Sequence, residues 1–398
     1  MVVGTRPEAI KTAPVIYELK QHSAKFETII LATAQHREIL DQALSLFDIT
    51  PDIDLNLMHA RQGLPALTSR VLEGMEKTIG KIKPDILLVQ GDTTTVFASA
   101  LAAFYHKVPV AHVEAGLRSY NIYSPYPEEV NRRLTTVMTE IHFAPTVFAR
   151  KALLNEGISK DKIVVTGNTV VDALTHISRL PFTLHQSELK NLKLDNHRII
   201  LVTSHRRESW GAEFENTCAA IKEIVRKYSD VAVVYPVHPN PAVKETAEKL
   251  LSGIDRIHLL PPLDYLTFVN LMKKAYLILT DSGGLQEEAP TLKKPLLLLR
   301  KVTERPEAFH SGLSKYVGTN RDKIIRETET LLNNKNEYEA MITNQNPYGD
   351  GFAAQRIVET LVRWSAGEKM LLEPSAEFDP DGKKSTNLRE VAAKTRAS

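Results

Sequence analysis

The sequence predicts an α/β protein of two domains, each built on a parallel sheet flanked by helices. Short runs dense in Val, Ile and Leu alternate with amphipathic stretches along most of the chain, the character of strands buried on both faces of a parallel sheet. A polar stretch without a clear period, Arg179–His197, interrupts the alternation once, and the pattern then restarts. The chain's 398 residues also exceed what one hydrophobic core usually holds.

In the first half, Met1–Val3, Ile29–Ala32, Ile86–Gln90, Val108–Val113, Ile141–Ala144 and Ile163–Thr166 read as strands. A central first strand normally runs ~5–6 residues, so this one is expected to begin upstream of Met1. Glu128–Glu140 reads as a helix. Its Val130, Leu134, Val137 and Met138, with Ile141, fall on one side, the kind of stripe that faces a core. In the second half, Ile199–Thr203, Val231–Tyr235, Ile257–Leu260, Leu277–Thr280 and Leu296–Leu299 are the strands, and Gly351–Ser365 reads as a closing helix. The expected divisions are 1–178, 179–350, a helix at 351–365 and a disordered tail at 366–398. The tail is polar and carries Pro374, Pro380 and Gly382.

Composition narrows the function. A net charge of +2 gives no field that would favour nucleic acid or an anionic membrane, so an anionic ligand needs a local basic site. Cys218 is the only cysteine, which excludes an internal disulfide and a cysteine-rich metal centre. No apolar run approaches the ~20 residues of a membrane span, and Arg6, Pro7 and Glu8 do not open a signal peptide. A cytoplasmic protein is expected.

Four motif fragments are set aside. Gly74 to Gly80-Lys81 resembles a phosphate loop, but Ile82 replaces the required hydroxyl residue. No G-x-G-x-x-G follows the first strand, so a nicotinamide or flavin site lacks its fingerprint and no cofactor is expected. Asp52-Ile53-Asp54 reads as a solvated loop, not a metal pair. Asp379-Pro380-Asp381-Gly382 lacks the remaining ligands of a calcium loop. No metal is expected.

Ligands of open parallel sheets bind beyond the carboxyl ends of the strands, and that rule selects a short list. Asp92 follows Ile86–Gln90, Glu114 ends the next strand, and Glu128 opens the helix after it. Each has a plainer role available: Asp92 as a helix cap, Glu128 as an acid in a first helical turn. Glu114 is harder to dismiss, because it ends an apolar strand beside Gly116, where a charge needs a partner or a purpose. The second half supplies positive character. Ser204-His205-Arg206-Arg207 and Pro236-Val237-His238 follow two strands. Asp281-Ser282-Gly283-Gly284 opens a helix, and Arg300 and Arg305 follow the last strand. Strand, Ser-Gly-Gly and helix N-terminus together suit a phosphate. Acids on one sheet edge and anion-binding elements on the other suit a nucleotide diphosphate held by the second domain, its sugar facing the first.

Ten ordered motifs make the reading specific. They include Gly4–Lys11, Thr33–Glu38, Gly91–Thr95, His112–Arg118, Ser124–Glu129, Thr166–Thr169, His205–Glu208, Thr280–Pro290, Thr303–Glu307 and Asn346–Gly351. Over about residues 1–365 the chain closely resembles the non-hydrolysing bacterial UDP-N-acetylglucosamine 2-epimerases. Ser204 stands where relatives often carry Gly or Ala.

The resemblance implies a glycosyltransferase-B-like pair of Rossmann-like domains, an active site in the interdomain cleft and a last helix crossing back to the N-terminal domain. It implies interconversion of UDP-N-acetylglucosamine and UDP-N-acetylmannosamine for cell-surface polysaccharide precursors, and a homodimer. Asp92, Glu114 and Glu128 match the acid/base carboxylates, and His205 joins the catalytic set. Arg6, Lys11, Phe268, Ser282, Gly283, Gly284, Glu288 and Arg305 match residues around the nucleotide. Some members bind a second UDP-N-acetylglucosamine as activator, whose contacts would fall on Gln35, Arg70, Arg206 and His238. The implied chemistry is loss of UDP to give 2-acetamidoglucal, followed by re-addition. Inversion needs acid and base groups on both sides of the ring, hence several carboxylates. The other readings are a hydrolysing epimerase, a retaining glycosyltransferase of the same architecture, and an inactive sugar-nucleotide-binding regulator.

Overall fold

The computed structural model describes residues 1–381 apart from 34–36, 58–62, 184–188, 191, 193, 195, 207–209, 301–302, 304 and 344, with backbone alone at 37–39. The chain forms two units. Unit 1 is Met1–Ala173 with the described chain from Tyr348 onward, and unit 2 is Leu174–Pro347.

Unit 1 runs β1 (Val2–Val3), α1 (Arg6–Gln21), β2 (Leu31–Ala32), α2 (Arg37–Leu46), β3 (Ile53–Asp54), α3 (Leu64–Ile82), β4 (Leu87–Gln90) and α4 (Thr94–Tyr105). It continues with β5 (Val110–Val113), α5 (Glu128–Met138), β6 (Ile141–Ala144), α6 (Val147–Asn155), β7 (Ile163–Val165) and α7 (Thr169–Ile177), which leads into unit 2. Unit 2 holds β8 (Arg198–Thr203), α8 (Ala212–Lys227), β9 (Val231–Pro236), α9 (Pro241–Leu251), β10 (Ile257–Leu260), α10 (Tyr265–Lys274) and β11 (Leu277–Thr280). It ends with α11 (Leu285–Thr291), β12 (Leu296–Leu298), α12 (Glu307–His310), β13 (Ser314–Tyr316), α13 (Arg321–Asn333) and α14 (Lys335–Thr343); α15 (Ala353–Ser365) returns to unit 1.

Every strand pairing among the described residues is parallel, in keeping with the α/β class expected. Unit 2 has the strand order β10-β9-β8-β11-β12-β13. Numbered within the unit this is 3-2-1-4-5-6, the Rossmann order, whose reversal point lies between β8 and β11. Unit 1 has ladders β1-β2-β3 and β4-β5-β6-β7, with β1 packed beside β4, so its reversal lies between those two strands. In both units the loops after the two central strands are therefore neighbours.

Sequence explains the packing directly. Leu67, Val71, Met75 and Ile79 form the buried stripe of α3, and it lies on α4, whose buried Ala98, Ala102 and Ala103 allow close approach. In unit 2, Phe214, Cys218, Ile221, Ile224 and Val225 of α8 pack on Val231, Val233 and Tyr235 of β9.

Several expectations need correction. α7 passes from unit 1 to unit 2 without a break, so the division falls at 173/174 instead of 178/179. Tyr348–Asp350 belong to unit 1, because the Tyr348 carbonyl accepts from the Asn168 amide at 2.6 Å and Asp350 pairs with Arg356. Asp52–Asp54 is no mere loop, since Ile53–Asp54 is the edge strand β3. β13 had no clear apolar signal. The disordered tail expected at 366–398 is contradicted over 366–381, where Leu372 and Phe378 are buried, and its remainder, 382–398, lies outside the described residues. Phe378 N donates to the Val165 carbonyl at 2.8 Å, and Glu377 pairs with Arg150. The polar average of that stretch hid two apolar anchors. Finally, α5 is turned the other way: Val130, Leu134 and Val137 are exposed, while Glu129, Asn131, Arg132, Thr135 and Thr136 are buried.

Candidate active site

Unit 1 gathers three carboxylates at one edge of its sheet. Asp92 lies two residues beyond β4, Glu114 directly follows β5, and Glu128 opens α5. Glu114 is buried and has φ +68, a left-handed conformation that costs roughly 1–2 kcal/mol for a side chain of this type and clusters at functional sites. Gly116 beside it has φ +93, and a Cβ there would meet the Ala149 carbonyl oxygen at 2.4 Å, so only glycine allows this turn. Lys11 Nζ donates to both Glu114 oxygens at 2.7 Å, and Gln90 Nε2 donates to the second. Lys11, matched by resemblance to the nucleotide's surroundings, therefore reaches a carboxylate first.

Asp92 is gripped from α5. Arg132 Nη2 lies 2.5 Å from its Oδ2, and Asn131 Nδ2 donates to its carbonyl at 3.0 Å. Arg132 in turn bonds Glu129 at 3.2 Å, and Glu129 accepts from the Ser119 and Tyr120 amides at 3.0 and 3.1 Å. These contacts explain why the polar side of α5 is the buried one. His112 donates from Nε2 to the Gly91 carbonyl at 2.6 Å, and burial pushes its pKa down to about 4, so it is a neutral strut beneath the Asp92 turn. Arg6 is the first residue of α1, half-buried at the same edge.

Unit 2 places its predicted residues on the corresponding edge of its own sheet. His205 and Arg206 follow β8, His238 follows β9, Phe268 lies in the first turns of α10, and Ser282-Gly283-Gly284 follow β11. Asp281, fully buried, organises them. Its Oδ2 accepts from Ser204 Oγ at 2.9 Å and from the His205 and Arg206 amides at 2.8 and 3.0 Å. Its Oδ1 lies 3.2 Å from His205 Nδ1, opposing the fall in the His205 pKa that burial causes. The His205 and His238 rings stack with centroids 5.7 Å apart. Glu288 accepts from Tyr265 Oη at 2.7 Å, and Arg305 Nε bonds Glu287 at 2.7 Å. Arg70 sits on α3 in unit 1, and Gln35 lies outside the described residues.

Arg132, Glu129 and Gln90 were not singled out from sequence, and Asp281 was named there only as the start of the Ser282–Gly284 motif, with no role of its own. The signals were available: Asp281 is the first residue after β11, and Glu129 and Arg132 stand three apart on one helix. Among the described residues no group of three or more His, Cys, Asp and Glu could hold a metal, and no helix is long and apolar enough to cross a membrane.

A family model described as UDP-N-acetylglucosamine 2-epimerase matches residues 18–362. The chain belongs to the UDP-N-acetylglucosamine 2-epimerase family. The family's enzyme from Yersinia pestis is 52% identical over 365 residues, 90% of this chain and 97% of that one. The Escherichia coli K12 enzyme is 48% identical over 367 residues, 90% and 97%. Among solved structures, the UDP-GlcNAc 2-epimerase of Neisseria meningitidis bound to UDP-GlcNAc superposes with TM-score 0.86 at 49% identity, covering 91% of this chain and 98% of that one. The Methanocaldococcus jannaschii enzyme, in complex with UDP-GlcNAc and UDP, has TM-score 0.77 at 37% identity, with coverage of 91% and 98%. As a member of this epimerase family, the chain is an enzyme.

Proposed function

We propose that this family member interconverts UDP-N-acetylglucosamine and UDP-N-acetylmannosamine without releasing free sugar. The C2 hydrogen of a pyranose is not acidic by itself. It becomes removable as the C1–O bond to UDP breaks, the C2–H electron pair forming the C1=C2 bond of 2-acetamidoglucal. UDP oxygen then returns to C1 and a proton is delivered to C2 from the opposite face. Unit 1 supplies the acid/base groups Asp92, Glu114 and Glu128. Unit 2 supplies the grip on UDP through His205, Phe268, the Ser282–Gly284 turn, Glu288 and Arg305, with Arg6 and Lys11 assisting from unit 1. Preorganised positive groups stabilise the departing diphosphate as its charge develops.

The observation that carries this reading is Glu114: a buried carboxylate on a left-handed backbone, held by Lys11 and Gln90 at a strand end. Left-handed non-glycine residues cluster at functional sites, and this one carries a buried charge at the sheet edge where ligands bind. Incubation with UDP-N-acetylglucosamine alone in heavy water tests it. The expected product is UDP-N-acetylmannosamine with deuterium at C2. Free N-acetylmannosamine and UDP would mark the hydrolysing alternative. Asp92→Asn and Glu114→Gln should each lower turnover by roughly 10²–10⁴-fold and leave UDP binding largely intact; near-normal turnover in both would sink the assignment.

The same reading includes a homodimer serving cell-surface polysaccharide precursors. Its support in the structure is the exposed apolar side of α5, Val130, Leu134 and Val137, beside α4 with its exposed Phe104 and Tyr105. A single soluble chain rarely leaves such a surface to water.

A further inference from the structure

We propose that Glu8 is a positioning residue of the epimerisation chemistry, holding through Thr93 the turn that presents Asp92. The inference rests on the role given to Asp92 above. Glu8 lies in the first turn of α1 and is buried. Its Oε2 accepts from the Gly4 and Thr5 amides at 2.6 and 3.1 Å, and its Oε1 accepts from Thr93 Oγ1 at 2.6 Å. One side chain thus joins the turn after β1 to the turn after β4, the two central strands at the reversal point of unit 1. Gly4 fixes the approach, because a Cβ there would fall 2.8 Å from Thr33 Oγ1 and 2.9 Å from Thr95 Cγ2.

Helix capping alone does not account for this arrangement. At the third position of a capping box Gln serves as well as Glu, and it carries no charge to bury. Burial, with Asp92 close by, pushes the Glu8 pKa up to about 7, so a carboxylate here is costly. What a carboxylate offers and an amide does not is a second acceptor oxygen. Thr93 uses it: its hydroxyl accepts from the Val96 amide at 3.3 Å as the cap of α4 and must donate its own hydrogen elsewhere, which it does to Glu8. The Asp92 turn is then held at three successive residues from three elements. His112 of β5 holds Gly91, Asn131 and Arg132 of α5 hold Asp92, and Glu8 of α1 holds Thr93.

The test compares Glu8→Gln, Thr93→Val, the double variant, Thr93→Ser and Asp92→Asn, with kcat, KM and melting temperature measured for each full-length protein. The expected result is a fall in kcat of roughly 10–100-fold for Glu8→Gln and for Thr93→Val, with KM little changed and assays run well below melting. The double variant should be no slower than the slower single one, since both break the same link. Thr93→Ser, which keeps the hydroxyl, should recover most of the rate. Unchanged kcat in Thr93→Val, or losses that multiply in the double variant, would overturn the inference while an inactive Asp92→Asn leaves the function standing. An active Asp92→Asn would remove the inference together with the role given to Asp92, while the function itself is decided by the product formed in heavy water.

Discussion

Asp172 of α7 is half-buried, with one oxygen accepting from the Ala354 amide at 2.9 Å at the start of α15. Burial pushes its pKa up to about 7, against the pull of the Ala354 and Ala353 amides. The folded state therefore keeps a proton there that the unfolded chain has lost, and stability from this group falls as pH rises from about 4 to about 7. Asp172→Asn keeps an acceptor for Ala354 without the charge. It should flatten the decline of melting temperature across that window and add about 1–3 kcal/mol at pH 8; an unchanged slope would show that Asp172 is not the source. At this scale the carboxylates proposed to do chemistry were more legible in the sequence than the groups that hold them. Asp92 and Glu114 stood out because strands pointed at them. Arg132 and the hub role of Asp281 did not, because a buried polar hub is defined by partners far away in the chain.

Among the elements, the strands dense in Val, Ile and Leu were legible, since burial on both faces leaves little freedom of composition. β3 and β13 were not, because an edge strand of two or three residues has no such requirement. α5 shows the limit of periodicity: its apolar stripe is real, but the tie of Arg132 and Asn131 to Asp92 turns that stripe outward. The segment after α15 shows the opposite limit, with isolated anchors in polar surroundings. Phe378 is buried there, with the Arg356 guanidinium 5.8 Å from its ring centre. Truncating such a side chain costs about 3–5 kcal/mol, so Phe378→Ala should lower denaturant stability by that amount. A loss below about 1 kcal/mol would show the strap to be dispensable.

For the whole molecule, the proposed pairing of two copies makes the outward stripe of α5 a requirement instead of a liability. Light scattering on the wild type should give twice the chain mass, and Leu134→Asp with Val137→Asp should give a monomer that remains folded. A wild-type monomer would leave that stripe without a partner of its own kind. The discontinuity of unit 1 has a different consequence, in the order of events during synthesis. Unit 2 is continuous, so all of it has left the ribosome while unit 1 still lacks Ala354, Ile357, Val358 and Leu361 of α15, which pack against Val15, Leu88 and Phe143. Unit 1 begins first and is finished last, so the UDP grip proposed for unit 2 is complete before α15 locks the carboxylate edge of unit 1.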